Sequence, residues 1–444
     1  MVRVHRLSRA LVPTVLLGTA LPLGAQGVPT RSYAKAEAEF GEPFSGVSGV
    51  RGLADGRVVV ADSRDKLVQV VNLATGAAVK VGREGSGPGE YGLPTSLFGL
   101  PGDSSVVFDA LNQRYLLVGP EGKPGATFRV GPDLPAPPRG AGGAPAGGPP
   151  AGGPPAGGPP GAPPAGGGMV VRRPAGAGGP VMMLGGLGLG RVMASDAAGR
   201  LYFEGVPLMM GPNGPVSADT APVIRYHRDT RRADTLAWVR LPKGTASVST
   251  SGGPNNQRVM MRIGGGTPYA ARDAWSVLPN GTVVIARVAD YHLDLVPPAG
   301  AVVRGPAVPF TPVPVGEAEK REYREAQKNR QGVFITRTDG PGGSRAQAAP
   351  AVPTFEEPET WPDTKPPFAD NGVLVSPAGE VWVARSRRAT DNVPAYDIFS
   401  ATGRLVRRAT FPPRTRVVGF GPAGVVYTVR SDEDDLQWLQ RFRG

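Results

Sequence analysis

The sequence predicts an all-β fold, a six-bladed β-propeller of four-stranded antiparallel blades. Three observations predict it. Short apolar runs rich in Val, Tyr, Trp and Phe recur along the chain, each too short for a helix and each followed by a turn signal. Laid over one another, these runs form six copies of a β unit of roughly 40 residues. The unit reads strand, polar turn, strand, then a tight Gly turn, as at Gly76, Gly122, Gly300 and Gly403. One such unit cannot bury both of its faces, whereas a closed ring lets each sheet cover the next.

The copies follow in order. GRVVVADSRDKLVQVVNLATG (56–76) matches SSVVFDALNQRYLLVGPEG (104–122), with Asp62 opposite Asp109 and Asp65 opposite Asn112. GRLYFEG (199–205) leads to VIRYHRDT (223–230), and GTVVIARVADYHLDLVPPAG (281–300) is the fourth copy. GEVWVARS (379–386) leads to PAYDIFSATG (394–403), and GVVYTVRSDEDDLQWLQRF (424–442) is the last. A lead-in strand precedes several copies, as in WSVLPNG (275–281). Asn280-Gly281-Thr282 matches a glycosylation sequon, but a hairpin turn explains it better. A segment near Ser32 to Phe40 is expected to supply a strand to the last blade and close the ring.

The organisation that follows is a signal peptide at 1–26, first blades at 27–130, and an insertion at 131–190. Middle blades occupy 191–310, a second insertion 311–367, and the last blades 368–444. Arg3, Arg6 and Arg9 precede the apolar run Ala10 to Leu23, which is too short for a comfortable membrane span. No later stretch approaches ~20 uninterrupted apolar residues. The first insertion repeats GGPPA with a period of five, which excludes collagen, and is expected to be a disordered tether. The second carries the strongest helix signal, Glu317 to Arg330. Glu317–Arg321 and Arg321–Glu325 are charge pairs at helical spacing, and the near absence of apolar residues predicts a solvated surface helix. RTDGPGGSRAQAAPAVP (337–353) reads as loop, and WPDTKPPF (361–368) as a stiff segment packing back against the ring.

Composition narrows the function. The chain has 65 glycines, 50 prolines and no cysteine, so it has no disulfide framework, thiolate metal site or cysteine nucleophile. The net charge is +12, with 49 basic and 37 acidic residues. The arginines are spread along the chain rather than clustered, which argues against nucleic acid and favours anionic cell-envelope material. His5 departs with the signal, and His227 and His292 are read as having no acid at metal-ligand spacing nearby. No Gly-x-Ser-x-Gly elbow is present. No cofactor is expected, and Asp432, Glu433, Asp434 and Asp435 are the only sequence support for calcium. The run sits between two strand patterns, where a solvated turn is expected, and it lacks the alternating ligands and central Gly of a calcium loop.

GREGSGPGEYGLP (82–94) raises a sharper question. A Walker phosphate loop needs Lys-Ser or Lys-Thr after its last Gly, but Pro88 follows Gly87. A dinucleotide fingerprint needs a following helix, but another β copy follows. The glycines are better explained as positive-φ turn residues between the first two blades. With the strand that follows and VVFDALNQRYLLVGPEG (106–122), this stretch resembles the blade boundary of NHL-like six-bladed β-propellers of bacteria. In that family a turn with a Gly-Pro-Gly core precedes a Pro-started strand, and a Val-x-Val-Ala-Asp strand and polar turn follow. Residues 50–76 and 82–122 carry the match, and the blades after 190 match loosely. The resemblance implies a fold and, for function, only a binding surface.

One alignment points to a site. The residues that end the second strand of each copy are Asp62, Asp109, Glu204, Arg287, Arg385 and Arg430. Equivalent positions of a propeller lie on one face. Three acids followed by three arginines suggest a polarised mouth for a zwitterionic or anionic ligand. The competing reading has each residue bonding its own turn or a neighbour. The sequence thus leads to an exported, monomeric scaffold, periplasmic or secreted. It would bind a protein, peptide or glycan of the envelope through loops on one face, without catalysis. The alternative is a metal-dependent, calcium-type hydrolase or lyase acting in the central channel.

Overall fold

The structure is a computed structural model. It describes residues 27–130, 170–171, 181–182, 192–205, 208–211, 214–242, 246–251, 258–263, 267–328, 332–340, 343–351, 357–358 and 360–444. The proposed signal peptide and nearly all of the 131–190 insertion, its Gly/Pro repeat included, lie outside the described residues.

Six four-stranded antiparallel sheets form the blades, as the repeat predicts. Blade 1 runs Val47–Gly52, Val58–Asp62, Leu67–Val71, Ala78–Lys80, and blade 2 runs Pro94–Gly99, Ser105–Asp109, Arg114–Val118, Pro124–Phe128. Blade 3 is built from Val192–Ser195, Leu201–Glu204, Thr220–His227 and Arg232–Arg240. Blade 4 follows with Ala274–Val277, Val283–Arg287, His292–Val296 and Val303–Arg304. Blade 5 comprises Phe368–Val375, Val381–Arg385, Ala395–Phe399 and Leu405–Thr410. Blade 6 takes Thr415–Phe420, Val425–Ser431 and Gln437–Arg443 from the C-terminal part of the chain. Its fourth strand, Ala38–Glu39, comes from the N-terminal part and pairs antiparallel with Gln440 and Arg441. The ring is therefore closed by the segment the sequence assigned to that task. Thr30–Ser32 adds something the repeat does not encode, a fifth, parallel strand on blade 5 opposite Arg408 to Thr410.

The core is divided among the blade interfaces. Six apolar clusters each bridge two neighbouring blades. One joins Val58, Val60 and Val71 of blade 1 to Tyr427, Val429 and Leu439 of blade 6. Another joins Trp382 and Ile398 of blade 5 to Val417, Val426 and Phe442 of blade 6. Strands buried on both faces explain why VVVAD (58–62) is apolar throughout rather than alternating. Close approach at the hub needs glycine. A Cβ on Gly49 would stand 2.6 Å from the Cβ of Leu97 in blade 2, and one on Gly419 2.7 Å from the Val50 carbonyl oxygen of blade 1.

The first strands line the hub, and in five of the six blades the first strand carries a register shift. In blades 1, 2, 3 and 6 the extra residue is Ser48, Thr95, Met193 and Val418. Such bulges turn the start of the strand and re-aim its side chains.

In an antiparallel blade, the turn between strands two and three lies at the same end as the connection to the next blade. Every long insertion leaves from that end. Residues 129–191, 241–273 and 305–367 connect successive blades, and residues 205–219 join strands two and three of blade 3. Within them, Leu208–Gly211 pairs with Gly214–Ser217, Ala246–Ser251 with Arg258–Ile263, and Gly332–Gly340 with Gly343–Ala351. The last pair corrects the reading of 337–353 as loop: 337–340 and 343–351 are paired strand.

The helix α1 (Glu317–Lys328) is present but docked rather than merely solvated. The Glu319 carboxylate accepts the Ala389 and Gly316 N–H groups at 2.9 and 3.1 Å. Tyr269 donates to the Glu319 carbonyl at 2.7 Å, and Lys365 to Glu322 at 2.8 Å. Trp361 packs edge-on against Tyr323, so 361–368 does return to the ring, where Phe368 is buried. The ion pairs differ from those expected by spacing: Glu317 pairs with Lys320, and Arg324 with Glu357.

Candidate functional site

The six aligned charges lie at the insertion-bearing end, and each has a partner. Asp62 is fully buried and accepts the N–H groups of Gly46, Arg64 and Asp65 at 2.8 to 3.0 Å. Asp109 is fully buried too; it accepts Gly92 and Leu93 N–H at 3.0 Å and the Asn112 amide at 2.6 Å. Both act as Asx-type caps that knit their own turn to the preceding strand. Glu204 receives Arg272 at 2.8 Å and the Trp275 indole N–H at 2.9 Å. Arg287 bridges Asp273 and Asp294, each at 2.7 Å. Burial alone would lower its pKa, but hydrogen bonds to the two carboxylates more than reverse this and raise it. Arg385 stands 3.6 Å from Asp397, which also receives Arg408 at 2.9 Å and the Tyr291 hydroxyl at 2.9 Å. Arg430 pairs with Glu39 at 3.2 Å, holding the closing strand.

The glycine loop is filled from within. Gly82 and Gly89 have φ of 64° and 73°, and a Cβ on Gly82 would collide with the Gly89 carbonyl oxygen. The Glu90 carboxylate accepts the Gly87 N–H at 2.8 Å, in the place where a phosphate loop would receive its anion. Arg114 donates to the carbonyls of Ser86, Gly87 and Glu90, clamping the loop to blade 2.

The histidine reading needs correction. His292 is buried with Nδ1 2.8 Å from Asp290 and Nε2 3.1 Å from Asp294. Asp294, two residues on in the strand His292–Val296, shares a face with His292, and Asp290 reaches the ring from the turn before that strand. Both acids are engaged by arginine, Asp290 by Arg304 and Asp294 by Arg287. In the acidic turn, Asp432 accepts the N–H groups of Asp434 and Leu436 and the Trp438 indole, all within 3.1 Å. The indole bond holds the Asp432 pKa below the usual carboxylate range. Among the described residues, no group of three or more His, Cys, Asp or Glu is placed to hold a metal.

What sequence reasoning missed is the hub. A cavity of ≈ 500 Å³ occupies the central channel, lined by residues of the first strands of all six blades. Ser48, Ser96, Glu204, Arg272 and Arg416 supply polar groups, and Phe98, Leu374 and Trp275 supply apolar surface. Of the six aligned charges, Glu204 alone is among its lining residues. The signal was available in the lead-in strands. Arg416 follows the residue paired with Arg430, as Ser48 follows the residue paired with Asp62.

No family model and no curated protein matches the sequence. Among solved structures, the chain is similar to a member of the DUF4221 family from Bacteroides vulgatus, at 7% identity and a TM-score of 0.43, covering 92% of this chain and 98% of that one. A gluconolactonase from Xanthomonas campestris aligns at 10% identity, TM-score 0.38, over 91% of each chain. Virginiamycin B lyase from Staphylococcus aureus aligns at 9% identity, TM-score 0.36, over 92% of this chain and 99% of that one. Likeness at this level carries no argument for activity. The neighbours are six-bladed propeller proteins, and none singles out the NHL-like group.

Proposed function

We propose that the protein is an exported, monomeric binding scaffold that holds a protein, peptide or glycan of the cell envelope at its insertion-bearing face. One observation carries this reading: the long connections all leave from one end of the ring. The opposite end is closed by short turns such as 53–57, 72–77, 278–282, 297–302, 376–380 and 400–404. A rigid scaffold with elaborated loops at one end is the common arrangement for binding surfaces. Among the described residues, no helix is long and apolar enough to cross a membrane.

The test is binding of the purified full chain to glycan and peptide arrays. Arg83→Glu and Arg388→Glu change exposed charges at the insertion-bearing end, and Lys123→Glu and Arg404→Glu change them at the other. The first pair should weaken binding and the second leave it unchanged. Equal effects from both pairs would remove the face assignment. The alternative, a metal-dependent hydrolase or lyase of the channel, is separated by metal analysis of the same preparation. Stoichiometric calcium or zinc would favour it.

A further inference from the structure

The central cavity carries a charge that the rest of the site does not balance. Arg416 stands at the start of the first strand of blade 6 and lines the cavity. It is surrounded by protein yet open to solvent in the lumen. Its Nη2 donates to the Val47 carbonyl at 2.9 Å and points more distantly at Gln437 Oε1, 3.5 Å away. Arg287, Arg385 and Arg430 all have carboxylate partners; Arg416 has none among the described residues. The other charges at the cavity cancel, Glu204 against Arg272 and Asp273 against Arg287.

A second donor stands close by. Tyr396 lines the same cavity and is 5% exposed. Its hydroxyl accepts the Val417 N–H at 2.9 Å, and its own proton has no acceptor among the described residues. Burial raises the Tyr396 pKa and lowers that of Arg416. The phenol therefore keeps its proton. An arginine starts basic enough that its guanidinium keeps its charge. A guanidinium with spare N–H donors and a phenol O–H suit an anion, and the planar fork suits a carboxylate. Phe98, Trp275 and Leu374 add apolar surface, and ≈ 500 Å³ suits a small molecule.

We propose that this cavity is a carboxylate site in which Arg416 and the Tyr396 hydroxyl hold one carboxylate of a small organic acid, its apolar body against Phe98, Trp275 and Leu374. The proposal deepens the binding reading by naming a ligand class, and rests on it only for entry from the insertion-bearing end.

Titration calorimetry of the full chain with benzoate, and with benzamide as its neutral counterpart, tests the proposal. Benzoate should bind at least about tenfold more tightly than benzamide, as expected for a charge-assisted bidentate contact. Arg416→Gln should remove that preference, and Arg416→Lys should retain part of it, since lysine keeps the charge without the fork. Tyr396→Phe should weaken benzoate and leave benzamide unchanged. Thermal unfolding of each variant shows whether it folds; should Arg416→Gln fail to fold, the lysine variant and the benzamide comparison still decide. Absence of benzoate binding, equal affinity for the two probes, or an Arg416→Gln protein that still prefers benzoate would each overturn the proposal. Failure here with array binding intact removes the carboxylate site alone. Benzoate binding with array results indifferent to face removes the face assignment alone.

Discussion

Asp109 shows how a residue can look like a ligand-binding group and serve the fold. Its carboxylate, with no exposed surface, satisfies two backbone N–H groups of the strand entry and the side chain of Asn112. Truncation leaves buried donors without an acceptor and Arg114 without its 3.4 Å partner. Asp109→Ala should therefore cost on the order of 2–4 kcal/mol in urea unfolding. Asp109→Asn, which keeps one acceptor oxygen, should cost less. Equal stability of all three proteins would mean the cap contributes nothing. The sequence showed Asp62 and Asp109 as equivalents, because the copies align there. It did not show which way their carboxylates turn, since the same Asp can bond its own turn or face solvent. Arg416 was illegible for a related reason. A lone arginine in TRVVGF reads as an exposed strand position, and only the closed ring makes that position face a lumen.

At the scale of elements, the strands were legible and their deviations were not. Alternating and all-apolar runs set the blades, and Gly turns set their ends. The bulges at Ser48, Thr95, Met193 and Val418 leave no mark in composition, since they depend on how twisted blades meet at the hub. Helix α1 is similar. Its charge spacing predicted a helix, but its docking depends on Tyr269, Lys365 and Ala389, far away in sequence. Glu319 makes the docking sensitive to pH. The hydrogen bond from Ala389 N–H, joined by that from Gly316, holds its pKa below the ordinary carboxylate value. A carboxyl with a depressed folded pKa stabilises the docked state above its unfolded pKa, and that contribution is lost as pH falls through the folded value. Near-ultraviolet circular dichroism from the Tyr269, Tyr323 and Trp361 group should thus change as pH drops below about 4. Glu319→Gln should show the weakened signal already at neutral pH. A signal indifferent to acid and to the substitution would contradict the docking role.

For the whole molecule, ring closure and division of labour between the two ends follow from one topology. Phe40 and Phe44 anchor the closing segment in the cluster between blades 6 and 1, so Ala38–Glu39 is a strand of the last blade. The same antiparallel order sends every long connection to one end and leaves short turns at the other. The channel cavity takes Glu204, Arg272 and Arg416 from that same end, which makes this end of the ring the place where a ligand is met. Hydrogen exchange on the full chain, with and without saturating benzoate, tests this most directly. The account predicts slowed exchange at 47–50, 96–98, 272–275 and 416–418, with no change in the turns at 72–77, 297–302 and 400–404. Unchanged exchange at the channel strands, or protection confined to those opposite turns, would contradict it.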